Sequence, residues 1–158
     1  MDDENEHPVV RRAVAAEADT VAGLWLRSFD AALPTVRRAR TDEEVRGWFR
    51  EVVEPAGDTW VAAGPDRLLG MMVLDGEELD QLYLDPARRG RGVGGLLLDH
   101  AKRLRPSGLA LWTFRINAPA RRFYERHGFV AVERTDGARN EEREPDVRYV
   151  WRPDGPGR

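Results

Sequence analysis

Cysteine is absent from this 158-residue chain, and lysine occurs once, as Lys102. Without cysteine there is no disulfide, no thiolate metal site and no cysteine nucleophile. Of the histidines, His100 and His127 fall on predicted helices with no second ligand at metal spacing, so no metal site is expected. No apolar run reaches the roughly 18 residues of a membrane span. The acidic start, Met1 to His7, resembles no secretory signal, so the expectation is a cytoplasmic protein that does not enter membranes. Charge of one sign is also lacking. The 25 basic residues meet 28 acidic ones, and a net charge of −3 gives no general field for nucleic acid. The length predicts one domain over 9–152, between a disordered acidic tail at 1–8 and a flexible tail at 153–158. A domain of this size buries roughly two thirds of its unfolded surface.

What is present has a clear order. Val9 to Val14 forms a first strand, and Val21, Leu24, Trp25 and Ser28 recur at helical spacing over Glu17 to Phe29. Pro34 interrupts. Thr41 with Glu44 makes a capping box for a second helix with a stripe of Val45, Trp48, Phe49 and Val52, ended by Pro55-Ala56-Gly57-Asp58. Thr59 to Ala63 and Arg67 to Leu74 read as two strands joined by Gly64-Pro65-Asp66, and Asp75-Gly76 turns into the next. A third helix runs from about Val93 to Arg105 with Val93, Leu97, Ala101 and Leu104 inward, followed by a strand at Leu109 to Phe114. Ala118 to His127 is helical, with Pro119 tolerated in the first turn, and Val130 to Arg134 and Val147 to Trp151 close the chain as strands. The fold class is α/β, in the order βααβββαβαββ.

The most informative segment is Arg88-Arg89-Gly90-Arg91-Gly92-Val93-Gly94-Gly95. Its glycines remove the side chains that would hold an anion away from the amides, and the helix that follows aims free N–H groups at the same spot. Whose phosphate it takes is a separate question. Gly90, Gly92 and Gly95 fit G-x-G-x-x-G, but that dinucleotide fingerprint needs an acid about 20 residues on, where this chain has Leu109 to Phe114. A Walker A loop needs Gly-Lys-Ser/Thr, and here the letters are Gly-Gly-Leu.

The same segment fits Arg/Gln-x-x-Gly-x-Gly/Ala through Arg89, Gly92 and Gly94. Before it, Leu79 to Pro86 looks like a fourth strand entering an Asp-Pro turn, and after it come Asn117, Ala120, Phe123-Tyr124-Glu125 and Gly128-Phe129. These three blocks over Glu78 to Val130 resemble the GNAT superfamily of N-acetyltransferases. The resemblance implies a mixed central sheet of about seven strands flanked by about four helices, with acetyl-CoA as co-substrate, no metal and an amine as acceptor. It also implies direct attack in a ternary complex, and homodimers are common in the family. A silent acyl-CoA-binding module on the same fold is the alternative.

The resemblance assigns pyrophosphate to Arg89, Gly90, Arg91, Gly92, Val93, Gly94 and Gly95, with Arg88 as a further candidate. Pantetheine and thioester go to the backbone of Leu82, Tyr83 and Leu84 and to Asn117, which by itself would equally cap the helix at Ala118. Tyr124 aligns with the family's general acid; a phenol with a pKa near 10 suits a departing thiolate, although a tyrosine on a short helix can equally be packing. Glu78 stands where some relatives carry a general base, and Asp80 or ordered water are the alternatives. Period-two alternation puts Glu78, Asp80, Leu82 and Leu84 on one strand face. Trp25, Phe29, Glu78 and Asp80 are the candidate acceptor-binding residues, although helical spacing also suits Trp25, Phe29 and Trp48 to the core. The acidic run Asn140 to Asp146 is either an exposed charged hairpin or an attractor for a cationic amine.

Overall fold

A computed structural model describes residues 7–153, so the two expected tails lie outside it except for residues 7, 8 and 153. Seven strands make one sheet in the order β1-β2-β3-β4-β5-β7-β6. They are β1 Val9–Arg12, β2 Thr59–Ala63, β3 Leu68–Asp75, β4 Glu78–Leu84, β5 Leu109–Phe114, β6 Val130–Thr135 and β7 Asp146–Trp151. Four helices flank it. α1 is Ala18–Ala32, and α2 begins at Asp42–Trp48 and continues through a π-helical turn, Phe49–Val53, into Glu54–Ala56. α3 is Val93–Leu104 and α4 is Ala118–Arg126.

The helix ends follow their sequence signals. Thr41 accepts from the Glu44 amide at 3.2 Å while the Glu44 carboxylate accepts from the Thr41 amide at 3.1 Å, the reciprocal box expected of that pair. Gly57 stops α2 in the left-handed conformation, φ 77°. The π turn changes which valine is inside. Val53 is buried with Val45 and Phe49, whereas Val52, assigned to the apolar stripe by a 3.6-residue period, is 56% exposed. One extra residue in the turn rotates everything after it by about a residue's step, which the period cannot register.

Two apolar clusters lie on either side of β3. Met71 and Val73 meet Val21, Leu24 and Leu26 of α1 and Val45, Phe49 and Val53 of α2. Met72 and Leu74 belong with Leu97, Leu98 and Ala101 of α3, Tyr124 of α4 and Tyr149 of β7. Burying a leucine such as Leu97, at 0% exposure, contributes roughly 1.5–3 kcal/mol. Gly70 permits the close layer on the α3 side, because a Cβ there would stand 2.9 Å from Leu84 and 3.0 Å from Leu97. The Tyr149 hydroxyl donates to Glu125 at 2.7 Å and so ties α4 to β7.

β4 departs from simple alternation. Its register against β3 passes from Val73 opposite Gln81 to Leu74 opposite Leu79, leaving Asp80 as the extra residue of a bulge. Leu79, not Glu78, therefore shares the core of Leu82 and Leu84, which corrects the expected common face of Glu78, Asp80, Leu82 and Leu84. β4 and β5 run parallel but pair only at Glu78 and Ala110. Beyond that point the two strands diverge and split the sheet from its middle.

Candidate active site

The split opens into a cavity of about 660 Å³. β4 lines it from Leu79 to Tyr83, β5 from Trp112 to Phe114, and Asn117 and Tyr124 close the α4 side. Trp25 and Phe29 of α1 form another wall, so the two roles weighed for them coexist: Phe29 is core at 2% exposure and also lines the cavity. Trp25 stacks on Phe29 with centroids 5.1 Å apart, and its Nε1 donates to Gln81 Oε1 at 2.8 Å.

Tyr124 is 8% exposed, held by the rings of Phe123, Phe129 and Tyr149. Its hydroxyl makes no hydrogen bond with the described residues. Burial, with a smaller effect from Tyr83, raises its pKa, so the phenol keeps its proton. Asn117 Oδ1 accepts from the Ala120 amide at 3.3 Å, so the residue caps α4 and lines the cavity at once.

The structure separates the two candidate carboxylates. Asp80 lines the cavity, and its pKa is raised by crowding from the protein and then by Asp75 and Glu78, with Gln81 acting the other way. Glu78 is not among the lining residues. Arg148 Nη1 donates to its Oε2 at 2.7 Å and Nη2 to its Oε1, a bidentate clamp at the closed end of the split. Arg148 also stacks over Trp112 at 5.3 Å. Both oxygens of Glu78 are therefore occupied by the guanidinium, away from the cavity.

The glycine segment lies beyond the other end of β4. Asp85 accepts from the Ala87 amide at 3.0 Å to start a short turn, Pro86–Arg88. Gly90 and Gly92 then take φ of 77° and 81°, and Gly92 is the N-cap of α3. A Cβ on either would meet nothing within 4 Å, so the segment is bare toward solvent and its backbone conformation favours glycine. Gly94 differs, because its Cβ would press on the Phe123 ring at 3.2 Å; it sets the closeness of α3 and α4. The first helical bond runs from Leu96 N to Gly92 O at 3.1 Å, and the amides of the turn before it can face an anion. Arg89 donates to the Ser28 carbonyl at 3.2 Å and joins the loop to α1. Leu84 packs beneath this segment in the core rather than lining the cavity.

The family description "Acetyltransferase (GNAT) domain" fits residues 55–131. Over 131 residues the chain is 34% identical to the peptidyl-lysine N-acetyltransferase YjaB of Salmonella typhimurium, covering 80% of this chain and 86% of the relative. This chain belongs to the GNAT acetyltransferases. The Escherichia coli YjaB is 32% identical across 80% of this chain and 85% of its own. Its apo solution structure superposes with a TM-score of 0.79 at 28% identity, covering 92% and 97% of the two chains. The PaiA N-acetyltransferase of Thermoplasma acidophilum, solved with coenzyme A, shares the fold at a TM-score of 0.70 and 20% identity, over 92% and 99%.

The acetyltransferase moves an acetyl group from acetyl-CoA to an amine. Its own residues fit that co-substrate, since an open glycine turn at a helix start leads into a gap between two strands whose facing edges pair only at Glu78 and Ala110. Among the described residues, no group of three or more His, Asp or Glu is arranged to hold a metal ion, and no helix is long and apolar enough to cross a membrane. Sequence reasoning missed Gln81, Trp112 and Arg148, whose roles depend on partners far along the chain and carry no local signature.

Proposed function

We propose that the acceptor is the side-chain amine of a lysine in a peptide or protein, attacked directly in a ternary complex with Tyr124 as general acid. The observation that carries this reading is the meeting of the unpartnered Tyr124 hydroxyl, the unpaired edge of β4 and the Asp80 carboxylate in one cavity. The names of the relatives at 34% and 32% identity, both peptidyl-lysine N-acetyltransferases, support the acceptor class.

Acetyl-CoA supplies the acetyl group as a thioester. The amides from Arg91 to Gly95 hold its pyrophosphate, with Arg89 fixing the loop against α1. The backbone of Leu82 to Leu84 and the side chain of Asn117 hold the pantetheine arm, and an N–H of β4 steadies charge developing on the carbonyl oxygen. A lysine ammonium must lose a proton before attack, and Asp80 takes it directly or through water. Tyr124 gives its proton to the departing thiolate. Glu78 keeps the closed end of the split in register through Arg148.

Incubation with acetyl-CoA and a lysine peptide tests the acceptor class. The enzyme's own lysine, Lys102, donates to the His127 carbonyl and lies 4.8 Å over the Trp151 ring, so self-acetylation gives little background. One acetyl group per lysine, matched by released CoA, is expected. CoA release with small amines, but none with the peptide lysine, would overturn the acceptor class.

The phosphate loop has its own test. Gly92→Val forces a β-branched residue to φ 81°, at a cost of roughly 1–3 kcal/mol, and adds methyls to the bare face. The variant should fold with a Tm a few degrees lower and bind acetyl-CoA at least about tenfold more weakly by calorimetry. Unchanged affinity would remove the loop from the binding site.

A further inference from the structure

The acidic run between β6 and β7 is not a loose hairpin. Asn140 clamps it, with Nδ2 donating to the Glu144 carbonyl at 2.7 Å and Oδ1 accepting from the Glu144 amide at 3.2 Å. Arg40, in the segment between α1 and α2, binds Glu141 at 3.0 Å. Arg143 takes φ 56°, a left-handed conformation that a non-glycine residue adopts only when its surroundings enforce it. Glu142, held between these fixed neighbours, lines the reaction cavity.

A second cavity of about 710 Å³ lies between α1, α2 and this loop, floored by Val45, Gly47 and Trp48. Trp25, Asp80, Gln81 and Glu142 line both cavities, so they form the threshold between them. An acceptor that reaches Tyr124 from the α2 side crosses it. The two guanidiniums that line the second cavity are already engaged: Arg38 with Asp30 and Asp42 at 3.0 and 2.7 Å, Arg40 with Glu44 and Glu141 at 3.4 and 3.0 Å. Glu142 has no ion pair among the described residues, and its Oε2 is buried with no hydrogen-bond partner. A buried carboxylate oxygen left unmatched is costly, and a cation brought by the acceptor would match it.

We infer that Glu142 selects the acceptor by binding a second positive charge beside the reacting lysine, so that lysines flanked by arginine are preferred. This rests on the lysine reading above. The groups facing Glu142 are Glu141 on its own loop, the Ala39 backbone and Arg40 from the segment before α2, and Tyr83 and Asp80 from β4. Burial and Glu141 raise the Glu142 pKa, while Ala39 and Arg40 act the other way. Recognition therefore strengthens as pH rises through a value raised from that of a free glutamate.

The test is calorimetry on the CoA-loaded enzyme with two peptides, one lysine flanked by arginines and one flanked by alanines. Wild type should bind the arginine peptide about ten- to a hundredfold more tightly, as for a charged hydrogen-bonded partner. Glu142→Gln should abolish most of that preference and flatten its pH dependence, and Glu142→Asp should restore part of it. A CoA titration of each variant reports that it is folded. An equal preference in Glu142→Gln, or none in wild type, overturns the inference. With acetyl-CoA in place of CoA, acetylation of the alanine peptide with no arginine preference sinks the role of Glu142 alone. Acetylation of neither peptide sinks the lysine reading and this inference with it.

Discussion

Tyr124→Phe should lower kcat by about 10²- to 10⁴-fold while acetyl-CoA affinity stays close to wild type. The substitution removes one oxygen and keeps the ring, so the contacts with Phe123, Phe129 and Tyr149 persist. No protein group loses a hydrogen bond with the hydroxyl, because among the described residues it has none. The stability change should accordingly be small, and a loss of rate reports chemistry rather than folding. The raised pKa adds a second expectation. An ordinary phenol begins to ionise as pH approaches about 10 and would stop serving as an acid there. With its pKa lifted by burial, Tyr124 remains protonated, so the wild-type rate should not fall on that limb through phenol ionisation. Steady-state rates against pH for both proteins, with single-turnover measurements to confirm that chemistry limits kcat, decide the matter. Equal kcat in the two proteins would exclude the general-acid role.

Gly137→Val should give the largest loss of stability and of acceptor binding together. Gly137 has φ 84°, and a Cβ there would overlap the carbonyl carbon and oxygen of Glu144 and stand 2.8 Å from its nitrogen. Those are backbone atoms, so no side chain can swing aside. The loop must open, and with it the clamp made by Asn140 and the fixed position of Glu142. Strain of roughly 1–3 kcal/mol from the left-handed conformation alone corresponds to a Tm fall of about 2 to 12 °C at this chain length, and the backbone overlap adds to it. The peptide KM should rise at least about tenfold, because the threshold between the two cavities loses one side. The glycine turn at Gly90 and Gly92 belongs to a distant part of the fold, so acetyl-CoA affinity should hold. A parallel loss of acetyl-CoA binding would mean that the variant is globally unfolded or that the two sites are coupled through the sheet.

Much of the fold was legible from local chemistry. β5 has the bounds of the strand-like run Leu109 to Phe114, the Thr41 box starts α2, and a glycine in the left-handed conformation ends it. What escaped were shifts of a single residue. The π turn at Phe49–Val53 exchanges Val52 for Val53, and the bulge at Asp80 exchanges Glu78 for Leu79. Both are decided by how an element docks on its neighbours, and a periodic pattern is nearly indifferent to one inserted residue. The site divides the same way. Tyr124, Asn117 and the β4 strand come together as their motifs suggest, because each motif is local and the topology does the rest. Glu78 goes elsewhere because Arg148, 70 residues away, claims its carboxylate. Nothing within a few residues of Glu78 announces that partner. The inward position of Glu142 also depends on distant residues, since Arg40 anchors its neighbour across 101 positions.

The split between β4 and β5 has a mechanical meaning. β1 to β4 form one leaf, and β5, β7 and β6 form another, and a single residue pair hinges them. A ligand lying in the gap and bonded to the β4 edge would act as a splint across the hinge. Because it would engage the folded leaves and not the open chain, its concentration would set how firmly they hold together. The acetyl donor would then be part of the scaffold for as long as it is bound, and each turnover would end with the splint exchanged.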